Sequence, residues 1–276
     1  MKKLSSLALA TSLLAVNVPQ HAQAQKARSP YQTRFAVDAP ITGGLAALSV
    51  AGLLLVQKKD GLTDAQLAAL NKNDIPKFDR FSAGYYSETA QTAGDLIVYP
   101  SLLIAPGLLA LDQDVRSRYG QVLGLYFQSM LAADATFTMT IGNVTRYRPF
   151  LYGTEGGGSR NSKIATNSFF AGHTAHTAAA TFFAAKVYHD FHPDSKARPF
   201  IWTAATVVSV AEAYTRLEAG KHFLSDNLVG LAVGATAGIL VPQLHKKTGN
   251  SYSISPVQGL NVNGYSYSGL SLTKRL

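Results

Sequence analysis

YTRLEAGKHFLSD, residues 214–226, is a polar junction between two apolar runs of helix length, Phe200–Tyr214 and Leu228–Leu244. Gly220 marks the turn between them. Arg216, His222 and Asp226 fall within this junction. On a helix, residues four apart share a face, so the spacing predicts that Asp226 holds one nitrogen of the His222 ring and leaves the other as a nucleophile. Arg216 across the turn offers fixed donors suited to an oxyanion. The pattern reads as a phosphoryl-transfer site that needs no metal.

The junction repeats a pattern found along the whole chain. Ile41–Val56, Leu96–Leu111, Val122–Ile141 and Ala175–Tyr188 are further apolar runs, rich in Ala and Leu and without strand-like alternation. Six such runs predict an all-α fold, a six-helix bundle. Leu62–Leu70 adds a short helix with Thr63 as its cap, and Asp74-Ile75-Pro76 reads as a turn. The tail, rich in Ser, Gly and Tyr, predicts two short strands or an irregular flap. Residues 1–24 read as a signal peptide, with Lys2 and Lys3, an apolar stretch and Ala22-Gln23-Ala24; an uncleaved anchor is the alternative. The expected division is therefore a leader at 1–24, one helical domain at 25–248 and a tail at 249–276.

Of the 276 residues 47% are hydrophobic and 15% charged, against about 25% charged in ordinary soluble domains. Most runs hold fewer apolar residues than the ~20 a bilayer crossing needs, so they are marginal spans. The low charge favours membrane association over full solubility, and the leader points to a bacterial envelope, with a periplasm-facing site or a soluble periplasmic bundle. A net charge of +9 favours anionic partners. The basic residues are dispersed and no nucleic-acid motif is present, which excludes nucleic acid as the expected partner. The chain has no cysteine, so thiol chemistry and thiolate metal sites are excluded.

Two more stretches carry chemistry. Arg146-Tyr147-Arg148-Pro149 follows the third run and precedes a Gly-rich loop, Gly153–Ser159, expected to be mobile over a site. Gly172-His173 stands at the start of the fourth run. There a glycine lets backbone approach a ligand, free amides suit an anion, and the helix dipole opposes protonation of His173. His173 with His176, and His189 with His192, have helical spacing, but no third ligand accompanies either pair, so no metal is expected.

Together these stretches resemble the type 2 phosphatidic acid phosphatase superfamily, which includes vanadium haloperoxidases. Arg148-Pro149, Gly172-His173 and Arg216…His222…Asp226 stand in the family's order and internal spacing, and the likeness extends over roughly residues 60–244. It implies a metal-independent phosphatase without cofactor, acting on a phosphorylated lipid or small phosphate ester. His222 would be the nucleophile, with Asp226 orienting it and His173 as acid and base. Arg148, Arg216 and the Gly172 amide would bind phosphate, with Arg146, Lys221 and Thr215 as auxiliaries. Ile141 and Ala171 stand where the family carries lysine and serine, and Thr215 replaces a serine. Arg146, Arg160, Lys163 and Lys221 are candidate replacements for the lysine. Loss of those two donors supports a second reading, a weak or inactive relative that binds phosphate or lipid as a scaffold. Halide oxidation is disfavoured, because the same lysine is expected there.

Overall fold

The structure is a computed structural model and describes residues 29–247, 252–260 and 265–274; the leader expected at 1–24 lies outside the described residues. Each apolar run forms a helix: α1 (Phe35–Gln57), α3 (Glu88–Leu111), α5 (Tyr119–Asn143), α6 (Gly172–Phe191), α7 (Arg198–Glu218) and α8 (Leu224–Leu244). Two short helices, α2 (Asp64–Ala68) and α4 (Gln113–Arg116), sit in the connections. The expected six-helix bundle is thus present.

The helices outrun their apolar stretches because caps, not hydropathy, set their ends. α3 begins at Glu88, eight residues before Leu96, where the Ser87 side chain accepts from the Ala90 amide. It ends against Asp112, whose carboxylate caps α4. Thr63 caps α2 in a reciprocal capping box with Gln66, as expected.

α6 is the central helix, packed by α3, α5, α7 and α8. Ala175, Ala178, Ala179 and Ala180 on it are completely buried. Gly230, Gly234 and Gly238 form a stripe on α8, where an added Cβ would lie 2.5, 2.1 and 2.5 Å from the carbonyl oxygens of Ala171, Ala175 and Ala179. Small residues four apart on both helices let the backbones touch, the packing that works in lipid, where apolar side chains gain little by meeting each other. α1 meets α5 in the same way, Gly52 lying against Thr138.

The outer faces remain apolar. Leu53 and Val50 on α1, Leu103 on α3, Phe200 and Val207 on α7 and Leu244 on α8 are all about half exposed or more. α1, α3 and α8 are long and apolar enough to cross a membrane, and the protein is membrane-associated.

The helices alternate in direction. At one end Tyr31, Lys186 and Lys246 converge on the Asp190 carboxylate, with Tyr31 Oη at 2.9 Å and Lys246 Nζ at 2.6 Å. The opposite end gathers the C-termini of α1, α5 and α7 and the N-termini of α3, α6 and α8. Three positive helix ends therefore face one region, and the polar stretches 146–149, 172–173 and 214–226 of the sequence lie there. The tail forms an antiparallel hairpin, β1 (Tyr252–Leu260) with β2 (Ser266–Lys274), in register from Tyr252↔Lys274 to Leu260↔Ser266.

Candidate active site

The site begins with a short extended pairing. The Arg146 amide donates to the Thr166 carbonyl at 2.9 Å, the Arg148 amide to Ala165 at 3.0 Å and the Ser168 amide to Arg146 at 2.9 Å. This pairing fixes the segment after α5 against the segment before α6. It presents the Ser168 carbonyl to the turn between α7 and α8. That turn is closed by Gly220 at φ +65°, a conformation that favours glycine, where a Cβ would lie 1.8 Å from the Tyr85 carbonyl oxygen.

His222 is buried, with Nδ1 2.6 Å from the Ser168 carbonyl oxygen. A carbonyl only accepts, so Nδ1 carries the proton and Nε2 keeps its lone pair. Burial first, then the charges of Arg148 and Arg216, push the His222 pKa well below its ordinary value. The ring is therefore neutral with a free Nε2, the form a nucleophile needs.

This corrects the expected role of Asp226. α8 starts at Leu224, with Phe223 in extended conformation before it, so His222 lies outside the helix and shares no face with Asp226. The carboxylate instead accepts from the Phe223 amide at 2.9 Å, from Ser168 Oγ at 2.6 Å and from Arg146 Nη1. It reaches His222 only through Ser168, whose hydroxyl it holds and whose carbonyl orients the ring.

Arg146 is corrected as well. Its guanidinium bridges Asp226 and Asp79, the latter at 2.7 Å, and lies 4.7 Å above the Phe223 ring. Asp79 also accepts from Ser225 Oγ at 2.6 Å and the Ser225 amide at 2.9 Å. Arg146 is thus the centre of an ionic brace under the turn rather than a spare phosphate donor.

Arg148 and Arg216 have capacity to spare. Arg216 is buried, with Nη1 3.4 Å from Asp95 Oδ1 and Nε 4.0 Å from Glu212 Oε1. Arg148 Nη2 makes a long bond of 3.4 Å to the Asn167 carbonyl. The Nε of each arginine is buried without a hydrogen-bond partner. Burial, then Arg216, lowers the Arg148 pKa to about 10, so it stays cationic at neutral pH.

His173 occupies the first turn of α6, its Nε2 3.3 Å from the same Asp95 Oδ1. Burial first, then Arg216, lowers its pKa to about 4, while Asp95 works in the opposite direction. The expected opposition to protonation is present, with burial as its main cause.

The remaining expectations divide. A Cβ on Gly172 would lie 2.5 Å from the Phe137 ring, so the absent side chain serves helix packing rather than ligand approach. Thr215 turns back along its helix, its Oγ1 donating to the Glu212 carbonyl at 2.7 Å. His176 pairs with Asp134 at 3.1 Å and packs against Phe137. The Gly-rich loop is tied down by Arg160, which donates to the Gly153 and Leu151 carbonyls. Lys163 donates to the Gln57 carbonyl at 3.0 Å. Of the four candidate replacements, Lys221 alone has a side chain that makes no hydrogen bond or ion pair among the described residues. Its Nζ lies 5.1 Å from the centre of the Phe150 ring. Burial, Arg148 and Arg216 lower its pKa to about 8.

Sequence reasoning missed Asp95, Ser168 and Glu212. Asp95 had a signal, being the only charged residue of α3 after Glu88. Glu212 lies one turn before Arg216 and is fully buried, both oxygens lacking a hydrogen-bond donor. Ser168 orients the His222 ring through its backbone carbonyl, which no residue pattern announces.

No curated protein matches the sequence. The chain is similar in structure to a transmembrane PAP2-type phosphatidylglycerolphosphate phosphatase from Bacillus subtilis, with 17% identity, a TM-score of 0.42, and coverage of 72% of this chain and 94% of that one. The family model described as the PAP2 superfamily matches residues 123–250. That segment, similar to the PAP2 superfamily, contains Arg148-Pro149, Gly172-His173 and Arg216…His222…Asp226.

Proposed function

We propose that the protein is a metal-independent phosphatase acting on a lipid-linked phosphomonoester or diphosphate at the bacterial envelope, through a phosphohistidine. The observation that carries this reading is a buried neutral His222 with a free Nε2, lying within the field of two arginines whose Nε donors are unspent.

In the first step His222 Nε2 attacks phosphorus and the ester P–O bond breaks. His173 gives its proton to the departing alkoxide. Burial and then the arginines disfavour the proton on His173, and the substrate's negative charge works against both, so substrate binding favours the acid form. In the second step water attacks the phosphohistidine, His173 takes its proton, and His222 leaves with its lone pair restored. Arg148, Arg216, the free amide at the head of α6 and Lys221 stabilise the equatorial oxygens. Lys221 thus replaces the family lysine that Ile141 lacks. Ile141 itself is buried in α5, and its carbonyl accepts from Lys59 Nζ at 3.0 Å.

The test is hydrolysis of p-nitrophenyl phosphate and of phosphatidic acid in detergent, by wild type and His222→Ala. Wild type should turn over both, form an acid-labile phosphoenzyme, be inhibited by vanadate and tolerate a chelator. His222→Ala should lose kcat by a factor on the order of 10⁴ or more. A variant that keeps its rate, or activity abolished by chelation, refutes the mechanism. Wild type that binds vanadate without turnover establishes the scaffold reading instead.

A further inference from the structure

α1 touches α5 towards the active site and stands away from it at the other end of the bundle. An added Cβ on Gly52 would lie 2.4 Å from the Thr138 carbonyl carbon, and one on Gly142 2.8 Å from Leu55 Cβ. Towards the opposite end, Gly43 of α1 and Gly120 and Gly124 of α5 would have nothing within 4 Å of such a Cβ. The gap between α1, α5 and α8 is a cavity of about 470 Å³, and a second of about 670 Å³ lies beside it between α1 and α5. Gln128 lines both. It is 4% exposed, and among the described residues its amide makes no hydrogen bond. A buried amide without a partner is costly, so the cavity asks for a polar ligand as well as an apolar one. α1 and α5 run in the same direction, and the register that sets Gly52 against Thr138 puts Gln128 level with Thr42, about 12 Å inward of Arg34. Arg34 stands at the rim of the first cavity. Its side chain is exposed and makes no hydrogen bond or ion pair among the described residues. The other charged groups there are engaged. Asp38 accepts from the Arg34 amide at 2.6 Å and lies 3.0 Å from His245 Nε2, and Lys246 reaches Asp190 at 2.6 Å.

We propose that this cavity binds an anionic phospholipid, held at the end of the bundle away from the active site. Arg34 takes the phosphate, and the Gln128 amide donates to an ester carbonyl further in. Val37, Ile41 and Leu45 of α1, with Val241 and Leu244 of α8, enclose an acyl chain. The argument is complementarity: one uncommitted cation at the rim, one uncommitted amide inside, and apolar walls around it. A soluble anion would use the arginine alone, and a neutral lipid would leave it unpaired. Basic pockets between helices at a membrane surface suit lipid head groups for this reason. The proposal stands apart from the phosphatase reading, since no residue assigned to the active site lines the cavity.

The test uses the full chain in detergent, titrated with dioleoyl phosphatidylglycerol or dioleoyl phosphatidylcholine and read by native mass spectrometry. Wild type should hold phosphatidylglycerol about fivefold more tightly, the worth of one arginine at a membrane surface. Arg34→Gln, at an exposed position, should bring the two lipids within about twofold of each other. Gln128→Leu should weaken both about fivefold, as loss of one hydrogen bond requires, and keep the preference. Hydrogen exchange with phosphatidylglycerol present should show added protection in peptides covering 34–46 and 240–246. Equal retention of both lipids by wild type, or a preference that survives Arg34→Gln, overturns the proposal. So do unchanged affinities in Gln128→Leu and protection confined to the active-site end. Lipid binding that begins only when residues 1–28 are removed also overturns it, and gives the cavity to the chain's own N-terminal segment.

Discussion

Lys221→Met separates what the site gains from its third cation from what the fold bears to keep it. Methionine retains the length of the chain and its contact with Phe150, so the charge is the main change. Removing one charged donor from a phosphoryl-transfer site costs about 3 kcal/mol in the transition state, or about a hundredfold in kcat/KM. The effect on stability has the opposite sign. Burial and the two arginines bring the Lys221 pKa from 10.5 to about 8. Below about 8 both the folded and unfolded chains carry the proton, and the fold bears the penalty in full; from there to 10.5 the folded chain alone has released it, and the penalty fades. The drop corresponds to about 3 kcal/mol, reduced to about 1–2 kcal/mol because the ammonium is partly solvated and screened. Lys221→Met should therefore melt about 2–8 °C higher than wild type near neutral pH, with the gap closing in alkaline buffer. Wild-type kcat/KM should fall as pH rises through about 8. The methionine variant should lack that fall, and Lys221→Arg should move it upward. Thermal unfolding in detergent and a pH series with p-nitrophenyl phosphate measure both. A methionine variant with wild-type kcat/KM, or one that melts no higher at neutral pH, refutes the assignment of Lys221.

Asp95→Asn removes the one negative charge that raises the His173 pKa. The protonated acid should then be lost at lower pH, and a pH series should show the alkaline fall of kcat displaced downward, with a rate loss on the order of tenfold or more; an unmoved profile would separate Asp95 from proton transfer. Arg146→Met leaves Asp79 and Asp226 facing each other without their shared cation. Removal of one partner from such a pair costs about 3–5 kcal/mol, which unfolding in detergent should register as a clear fall in melting temperature. A variant as stable as wild type would show that the brace carries no load.

The helices were legible because apolar runs of helix length recur six times with no competing alternation, and because lipid and core ask for the same residues. Their ends were less so: α3 extends back to Glu88 through a Ser87 cap that hydropathy does not register. Arg148, His173, Arg216 and His222 stood out in the sequence because their spacing survives although the family's lysine and serine positions are changed. What failed was the step from spacing to contact. His222 and Asp226 are four apart, yet a helix that begins at Leu224 puts one of them in the turn, and the ring finds its acceptor in Ser168, more than fifty residues away. The same long-range pairing of residues 146–148 with 165–168 sets Arg146 between two carboxylates, while the Lys221 side chain is left without one. Two cations 75 residues apart in the chain, Arg146 and Lys221, can look interchangeable in sequence, because their charges are the same. They are distinguished by whether a carboxylate already neutralises them. Asp79 and Asp226 neutralise Arg146, and among the described residues no carboxylate forms an ion pair with Lys221. It follows that the chemistry of this end of the bundle depends on where its few carboxylates go, and an acid introduced beside Lys221 should weaken phosphate binding as surely as loss of the lysine itself.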